Sequence, residues 1–177
     1  SAEALVDLLS LSINTDRTLV DVLTRDLSLL PFSAEIAQVF AVYAKRKASM
    51  NVMDFDDLLL FWRTLLSEGR EVAEGIKEGV HHVLVDEFQD TNRLQGEIAE
   101  LLSSRHGNLC VVGDDAQSIF AFRGARFHNI LEFPRRVTTE MHSLTENYRS
   151  TQKILALAND AIAKNALQFP KSLTSPH

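Results

Sequence analysis

The 177-residue sequence is poor in cysteine and has no long hydrophobic run. Its one cysteine, Cys110, argues against a disulfide-stapled secreted domain. Cys110 lies in the apolar segment LCVV, so we expect a reduced, buried thiol. No apolar run approaches the roughly 20 residues of a membrane span, and nothing resembles a signal peptide. These absences predict a cytoplasmic globular protein with no membrane partner.

Positive charge is also scarce. The chain has 18 lysines and arginines against 24 aspartates and glutamates, a net charge of −6. A free-standing nucleic-acid-binding domain is usually basic, because it must attract phosphates. The sequence therefore predicts weak binding to nucleic acid by this segment alone.

Hydrophobic spacing predicts helices before residue 50, over residues 2–11, 16–30 and 33–49, with breaks at Asn14 and Pro31. Asp54 is placed to cap a further helix that runs to Leu66. Its expected inner face consists of Phe55, Leu58, Leu59, Trp62 and Leu65.

After Gly79 the pattern alternates between strands and helices. The predicted strands are 82–86, 109–113 and 136–142, and the predicted helices are 91–103, 125–133 and 150–164. Such alternation is typical of an α/β fold with a parallel sheet and right-handed crossovers. We expect a helical segment over 1–50, a sheet-containing domain over 51–150, and over 151–177 the start of another domain with a loose tail from 169.

Two adjacent carboxylates, Asp86 and Glu87, follow the first predicted strand, in VLVDEFQDTN. A strand buried on both faces would present them at the carboxyl edge of a parallel sheet, where ligands of α/β folds bind. There one carboxylate can hold Mg²⁺ and the other can polarise water. The alternatives are a solvated strand end and a capping pair for the helix at Thr91, for which Asp90 is also a candidate.

Two more strand ends carry polar clusters. Residues 109–125 read LCVVGDDAQSIFAFRGA, in which Gly113 permits a sharp turn, and residues 143–151 read SLTENYRST. If all three strands are parallel in one sheet, these clusters and the carboxylates meet at one edge.

VDEFQDTN, VGDDAQSIFAFRGA and LTENYRST resemble motifs II, III and IV of the UvrD/Rep type of superfamily-one DNA helicases, in the right order and with similar spacing. MDFDDLLL resembles the segment before motif II. The resemblance covers roughly residues 53–163, and the first 50 residues match only loosely, as a helical insertion. It implies a RecA-like fold, of the P-loop NTPase type, here incomplete.

The resemblance implies that Asp86 helps to hold Mg²⁺ and that Glu87 is the base that orients the attacking water. Gln117 would sense the γ-phosphate of ATP, a role that suits an amide because it both donates and accepts. A turn residue that satisfies backbone groups is the alternative for Gln117. Tyr148 would stack on adenine and Arg149 would reach the γ-phosphate. An ordinary helix start capped by Ser150 is the alternative there.

Phe120 and Phe122 stand where the family usually has tyrosine and tryptophan that stack on single-stranded bases. Stacking needs an aromatic face and no hydroxyl, so both replacements are compatible with it. Their alternative is a place in the core. Arg123 would contact the DNA strand or brace the loop.

No GxxxxGKS or GxxxxGKT phosphate loop occurs in the sequence. In the family that loop lies upstream of motif II, so we interpret the chain as an internal fragment, expressed as a piece or truncated. We expect negligible ATPase activity from the fragment alone, and self-association through the strand edge that the missing strand would cover.

The parent protein would couple ATP hydrolysis to translocation on single-stranded DNA and to unwinding at duplex junctions, in DNA repair or a related process. The alternatives are a truncated, non-catalytic binding or regulatory module and the motor portion of a helicase–nuclease.

Overall fold

A computed structural model describes residues 1–24, 26–119, 128–136 and 139–176. Five helices come first: α1 (Ala2–Thr15), α2 (Leu19–Leu23), α3 (Ser33–Met50), α4 (Phe55–Glu68) and α5 (Arg70–Gly79). The remaining elements are β1 (Val83–Val85), α6 (Arg93–Ser103), β2 (Leu109–Val111), α7 (His128–Arg136) and α8 (Gln152–Ile162). The sequence missed α5, and it placed one long helix where α2 ends at Leu23.

The predicted cap of α4 is confirmed. The Asp54 carboxylate accepts a hydrogen bond from the Asp57 amide at 2.9 Å, and the Asp57 carboxylate accepts one from the Asp54 amide at 3.1 Å. Lys47 lies 2.6 Å from both carboxylates and so fixes the end of α3 against the start of α4. Burial alone would raise the pKa of Asp54, but the hydrogen bonds from Lys47 and Asp57 lower it below its ordinary value.

The inner face of α4 differs from the prediction. Leu66 is completely buried, whereas Phe55 is 86% exposed, and Leu58 and Trp62 are exposed as well. Apolar residues of α4 itself occupy most of its circumference, so their spacing alone could not identify the buried side. The contacts of α4 with α5 and α6 decide it instead.

A chain of buried polar side chains joins α1, α4 and the start of α6. Asn92 donates to the Asn14 side-chain oxygen at 2.7 Å, and Asn14 donates to Asp56 at 2.7 Å. Asn14 is only 5% exposed and lies inside α1, not at the predicted break. Because unmade hydrogen bonds at buried amides are costly, these hydrogen bonds fix the position of α1 against α4 and the start of α6.

The two strands are parallel, as predicted, with α6 as their crossover. Val83, Leu84 and Val85 align with Leu109, Cys110 and Val111. Mixed α/β structure with a small parallel sheet agrees with an incomplete RecA-like domain.

Burial of the strands on both faces was expected, and that expectation is wrong. One face, which carries Val85, Leu109 and Val111, packs on a core cluster of Phe88, Ile130 and Phe133. On the other face Leu84 is 77% exposed, and its neighbour Cys110 is exposed rather than buried. Among the described residues, the core cluster lies on one side of the sheet.

The third predicted strand is wrong as far as the structure describes it. Arg136 ends helix α7, and residues 139–142 belong to no helix or strand. A β-branched run forms a strand only when a neighbour offers it pairing and packing, and the described sheet has two strands.

The tail is docked rather than loose. Phe169 packs against the core cluster, and Thr174 forms a parallel bridge with Glu146. Within the described residues, no helix is long and apolar enough to cross a membrane.

Candidate active site

Asp86 and Glu87 lie directly after β1, and both are exposed. The Glu87 amide donates to Asp86 Oδ1 at 2.9 Å. Neither residue caps α6, because Asn92 does so by accepting from the Gln95 amide at 2.9 Å. The capping interpretation of the carboxylate pair and of Asp90 is therefore wrong.

Glu87 has a left-handed backbone conformation, with φ 51° and ψ 41°. Such a conformation costs a residue with a side chain about 1–2 kcal/mol. It turns the chain from β1 into the short 3-10 turn Phe88–Asp90 and directs the chain across the end of the sheet. Strained backbone of this kind is concentrated at functional sites.

Gln89 connects the two strand ends. It is only 1% exposed, its Nε2 donates to Glu87 Oε2 at 2.7 Å, and its Oε1 accepts from the Asp114 amide at 2.9 Å. The backbone adds a second link, because the Phe88 amide donates to the Val112 carbonyl at 2.9 Å. The loops after β1 and β2 are thus held as one unit, as parallel strand ends predict.

Gly113 allows Gln89 to reach this position. A Cβ at Gly113 would lie 2.4 Å from Gln89 Oε1 and 2.7 Å from Ile130 Cδ1. The sequence suggested glycine for a sharp turn, but Gly113 is not among the residues with positive φ. Glycine is required here because Gln89 and Ile130 occupy the space that a Cβ would fill.

Gln117 ends a 3-10 turn after β2 and is exposed. Its Nε2 donates to Asp114 Oδ2 at 2.8 Å, and Asp114 Oδ1 accepts from the Ala116 amide at 3.0 Å. Burial alone would raise the pKa of Asp114, but hydrogen bonds from Lys171, Gln117 and Ala116 lower it. Asp114 is therefore a carboxylate at neutral pH, and it orients the Gln117 amide.

Tyr148 and Arg149 lie on an exposed loop before α8. Tyr148 is 70% exposed and its hydroxyl donates to Glu146, which raises the pKa of Tyr148. Asn147 Oδ1 accepts from the Arg149 amide at 2.9 Å and from the Ser150 amide at 2.7 Å. Ser150 is not the helix cap, since Thr151 occupies that position.

The predicted stacking residues Phe120, Phe122 and Arg123 lie outside the described residues. Of the predicted helix over 125–133, the described part from residue 128 onward is helical and belongs to α7.

The carboxylates fit a magnesium ion by their chemistry. Mg²⁺ takes oxygen ligands, keeps several waters and uses one or two protein carboxylates together with phosphates. In the part of the chain that the structure describes, neither Asp86 nor Glu87 forms an ion pair, and no group of three or more metal-binding side chains occurs. An exposed, unpaired carboxylate pair suits a metal that arrives with a phosphate ligand.

Two residues with contacts to the site were missed from the sequence. Gln89 lies within VDEFQDTN but could be given no definite role from the sequence, and Lys171 lies in the tail that was predicted loose. Lys171 Nζ lies 2.6 Å from Asp115 Oδ1 and also contacts Asp114. Neither contact follows from spacing, because each depends on the tertiary fold.

Comparison with known proteins identifies relatives for most of the chain. Residues 16–138 match the family model described as the UvrD/REP helicase N-terminal domain. The ATP-dependent DNA helicase UvrD1 of Mycobacterium tuberculosis is 42% identical over 146 residues, which are 78% of this chain and 19% of that protein. The ATP-dependent DNA helicase PcrA of Staphylococcus aureus is 39% identical over 142 residues, or 80% and 20%. The chain thus spans about a fifth of the length of these curated relatives.

Replacing Gln89 by leucine tests its bridging role. We expect the free energy of unfolding to fall by about 2 kcal/mol, because the Asp114 amide and Glu87 lose their partner. Gly113→Ala, which pushes a Cβ into the Gln89 amide, should act in the same direction. Urea unfolding of the 177-residue chain measures both.

Gln38→Leu is the matched control, since Gln38 is exposed on α3. It should change stability by less than about 0.5 kcal/mol. If Gln89→Leu matched this control, the bridge would not hold the loops.

Proposed function

Because this chain belongs to the UvrD/REP helicase family, we propose that it is part of the ATP-driven motor of a DNA helicase. The observation that carries the proposal is the pair Asp86 and Glu87 at the end of β1, tied through Gln89 to the loop after β2. Relatives named as ATP-dependent DNA helicases favour this function over a non-catalytic binding module.

In the proposed reaction, Glu87 orients a water for attack on the γ-phosphate of ATP and accepts its proton. Asp86 would hold Mg²⁺, and the ion would supply charge neutralisation at the phosphates. Phosphoryl transfer depends mainly on positioning and electrostatics, so a carboxylate fixed by backbone and by Gln89 suits it.

Gln117, Tyr148 and Arg149 complete the proposed nucleotide site. Gln117 would sense the γ-phosphate, Arg149 would bind its oxygens, and Tyr148 would stack on adenine. The exposure of all three supports these roles, because a ligand must reach them. Their ordered loops support them as well, since each loop is held by a side-chain acceptor, Asp114 or Asn147.

For DNA, we propose that Phe120 and Phe122 stack on single-stranded bases, with Arg123 beside them. The partners would be single-stranded DNA and duplex junctions, bound by the parent protein rather than by this acidic segment alone. We further propose a cytoplasmic location, a role in DNA repair or a related process, and the division into 1–50, 51–150 and 151–177. The motor portion of a helicase–nuclease is the second candidate, since it shares the motifs.

Glu87→Gln tests the catalytic assignment in a parent protein that carries this segment together with a phosphate-binding loop. We expect ATP turnover to fall by about a hundredfold or more, because the amide cannot accept the proton of the attacking water. Nucleotide binding, measured with a fluorescent ATP analogue, should stay within about twofold of the unmodified protein.

Glu97→Gln is the matched control, since Glu97 pairs with Arg63 and Arg93 away from the strand ends. Turnover that survives Glu87→Gln as it survives Glu97→Gln would refute the role of Glu87. The 177-residue chain itself should hydrolyse no ATP above background.

Phe122→Ala tests the stacking role in the same parent protein. Each stacked base contributes roughly 1–3 kcal/mol, so single-strand affinity should fall by about fivefold to a hundredfold, and DNA-stimulated turnover should fall with it. Phe122→Trp should preserve or improve both, and basal nucleotide binding should not change. Titration with a labelled single strand is the measurement; unchanged affinity together with a large loss of thermal stability would assign Phe122 to the core.

Self-association of the 177-residue chain is the last proposal of this section. In the described sheet β1 pairs with β2 on one side, and its other edge meets no further strand. Unpaired edges bind other strands, and the exposed Leu84 beside this edge adds apolar surface. Light scattering should therefore show concentration-dependent dimers or larger species, with protected β1 amides. A monodisperse monomer whose β1 edge amides exchange freely would contradict it.

A further inference from the structure

The C-terminal strap, residues 169–174, runs between the two loops to which the proposed function assigns the γ-phosphate contacts. One end contacts the loop that carries Gln117, and the other contacts the loop that carries Arg149. The two loops belong to different motifs, and the strap forms hydrogen bonds to both of them.

At the first end, Lys171 joins two carboxylates. Its Nζ lies 2.6 Å from Asp115 Oδ1 and also contacts Asp114 Oδ1. The Phe169 amide donates to Asp115 Oδ2 at 3.1 Å, and the Asp115 side chain is only 2% exposed. One ammonium thus compensates two adjacent negative charges, one of which is almost fully removed from water.

Asp114 connects Lys171 to Gln117. While Asp114 Oδ1 faces Lys171, its Oδ2 accepts from Gln117 Nε2 at 2.8 Å. The two oxygens of one planar carboxylate therefore bind Lys171 and Gln117, and fixing the first orients the second. In the described part of the chain, the side-chain hydrogen bond of Gln117 goes to Asp114 and not to the strap.

At the second end, the backbone of Thr174 holds the loop before α8. The Asn147 amide donates to the Thr174 carbonyl at 2.8 Å, and the Thr174 amide donates to the Thr145 carbonyl at 2.9 Å. Asn147 in turn accepts from the Arg149 amide. The same short strap therefore fixes the positions of Gln117 and Arg149.

We propose that Lys171 is a positioning residue for ATP hydrolysis, which acts through Asp114 to orient Gln117, whereas the backbone of Thr174 holds the Arg149 loop. This inference rests on the proposed function. In this role Lys171 contacts neither the nucleotide nor the attacking water. It holds the Asp114 carboxylate, which orients the Gln117 amide.

The charge state of the cluster supports this role. Burial alone would lower the pKa of Lys171, but hydrogen bonds with Asp114 and Asp115 raise it above its ordinary value. The ammonium is therefore charged throughout the neutral pH range, and the link does not depend on small changes of pH.

The test is steady-state ATP hydrolysis by the parent protein at saturating single-stranded DNA. Lys171→Met should lower kcat by between about tenfold and a hundredfold, because a misplaced group far from the chemistry has effects of this size. The KM for ATP should change by less than about threefold, since most nucleotide contacts remain. The matched control is Lys164→Met, at an exposed lysine outside the strap, and its kcat should equal that of the unmodified protein.

A double-mutant cycle separates positioning from a general structural role. In a Gln117→Ala background, Lys171→Met should lower kcat by less than about twofold, because the group it positions is gone. An undiminished effect of Lys171→Met in that background would overturn the proposal, and so would a Lys171→Met kcat equal to that of Lys164→Met.

Asp114→Asn gives an answer even if Lys171→Met fails to fold. This near-isosteric change weakens the bond to Lys171, and we expect kcat to fall as in Lys171→Met; an Asp114→Asn enzyme with normal kcat would overturn the proposal. Glu87→Gln distinguishes a failure of the proposed function from a failure of the inference about Lys171. If it abolishes turnover while the Lys171 and Asp114 variants are normal, the proposed function stands and this inference fails.

Discussion

The side-chain amide of Gln89 is the contact on which the geometry of the site depends. A side-chain amide carries a donor nitrogen and an acceptor oxygen on the same carbon. Here the nitrogen donates to Glu87, while the oxygen accepts from the backbone of the neighbouring loop. Neither a carboxylate nor an ammonium could do both at once. Its nearly complete burial removes competition from water, so the two strand ends are held in one arrangement.

The charges around the site are divided into two kinds. Asp114 and Asp115 share the single positive charge of Lys171, which holds both carboxylates in place. Asp86 and Glu87 form no ion pair among the described residues, so their negative potential remains available to a cation. Under the proposed function, this difference would direct a metal to Asp86 and Glu87 rather than to Asp114 and Asp115, although the two pairs follow adjacent strands.

Much of the fold and the site could be predicted where the signal is local. The Asp54 cap, the two short strands and the polar clusters at their ends each depend on a few neighbouring residues, and all were found. The buried side of α4, the exposure of Cys110 and the docking of the tail depend on what packs against them. Phe55 and Trp62 illustrate the limit, because their spacing is that of a core face while their surroundings leave them exposed. The roles of Gln89 and Lys171 could not be predicted for the same reason, because both depend on tertiary contacts.

The left-handed conformation of Glu87 places a conformational cost at the residue that holds the Gln89 amide. Glycine adopts this conformation without a steric penalty, but a glycine there would also remove the carboxylate that accepts from the buried Gln89 amide, so the relief of about 1 kcal/mol of strain would be offset by a lost hydrogen bond. Under the proposed function, the glutamate at this turn therefore serves twice, because its carboxylate accepts from Gln89 and would also orient the attacking water.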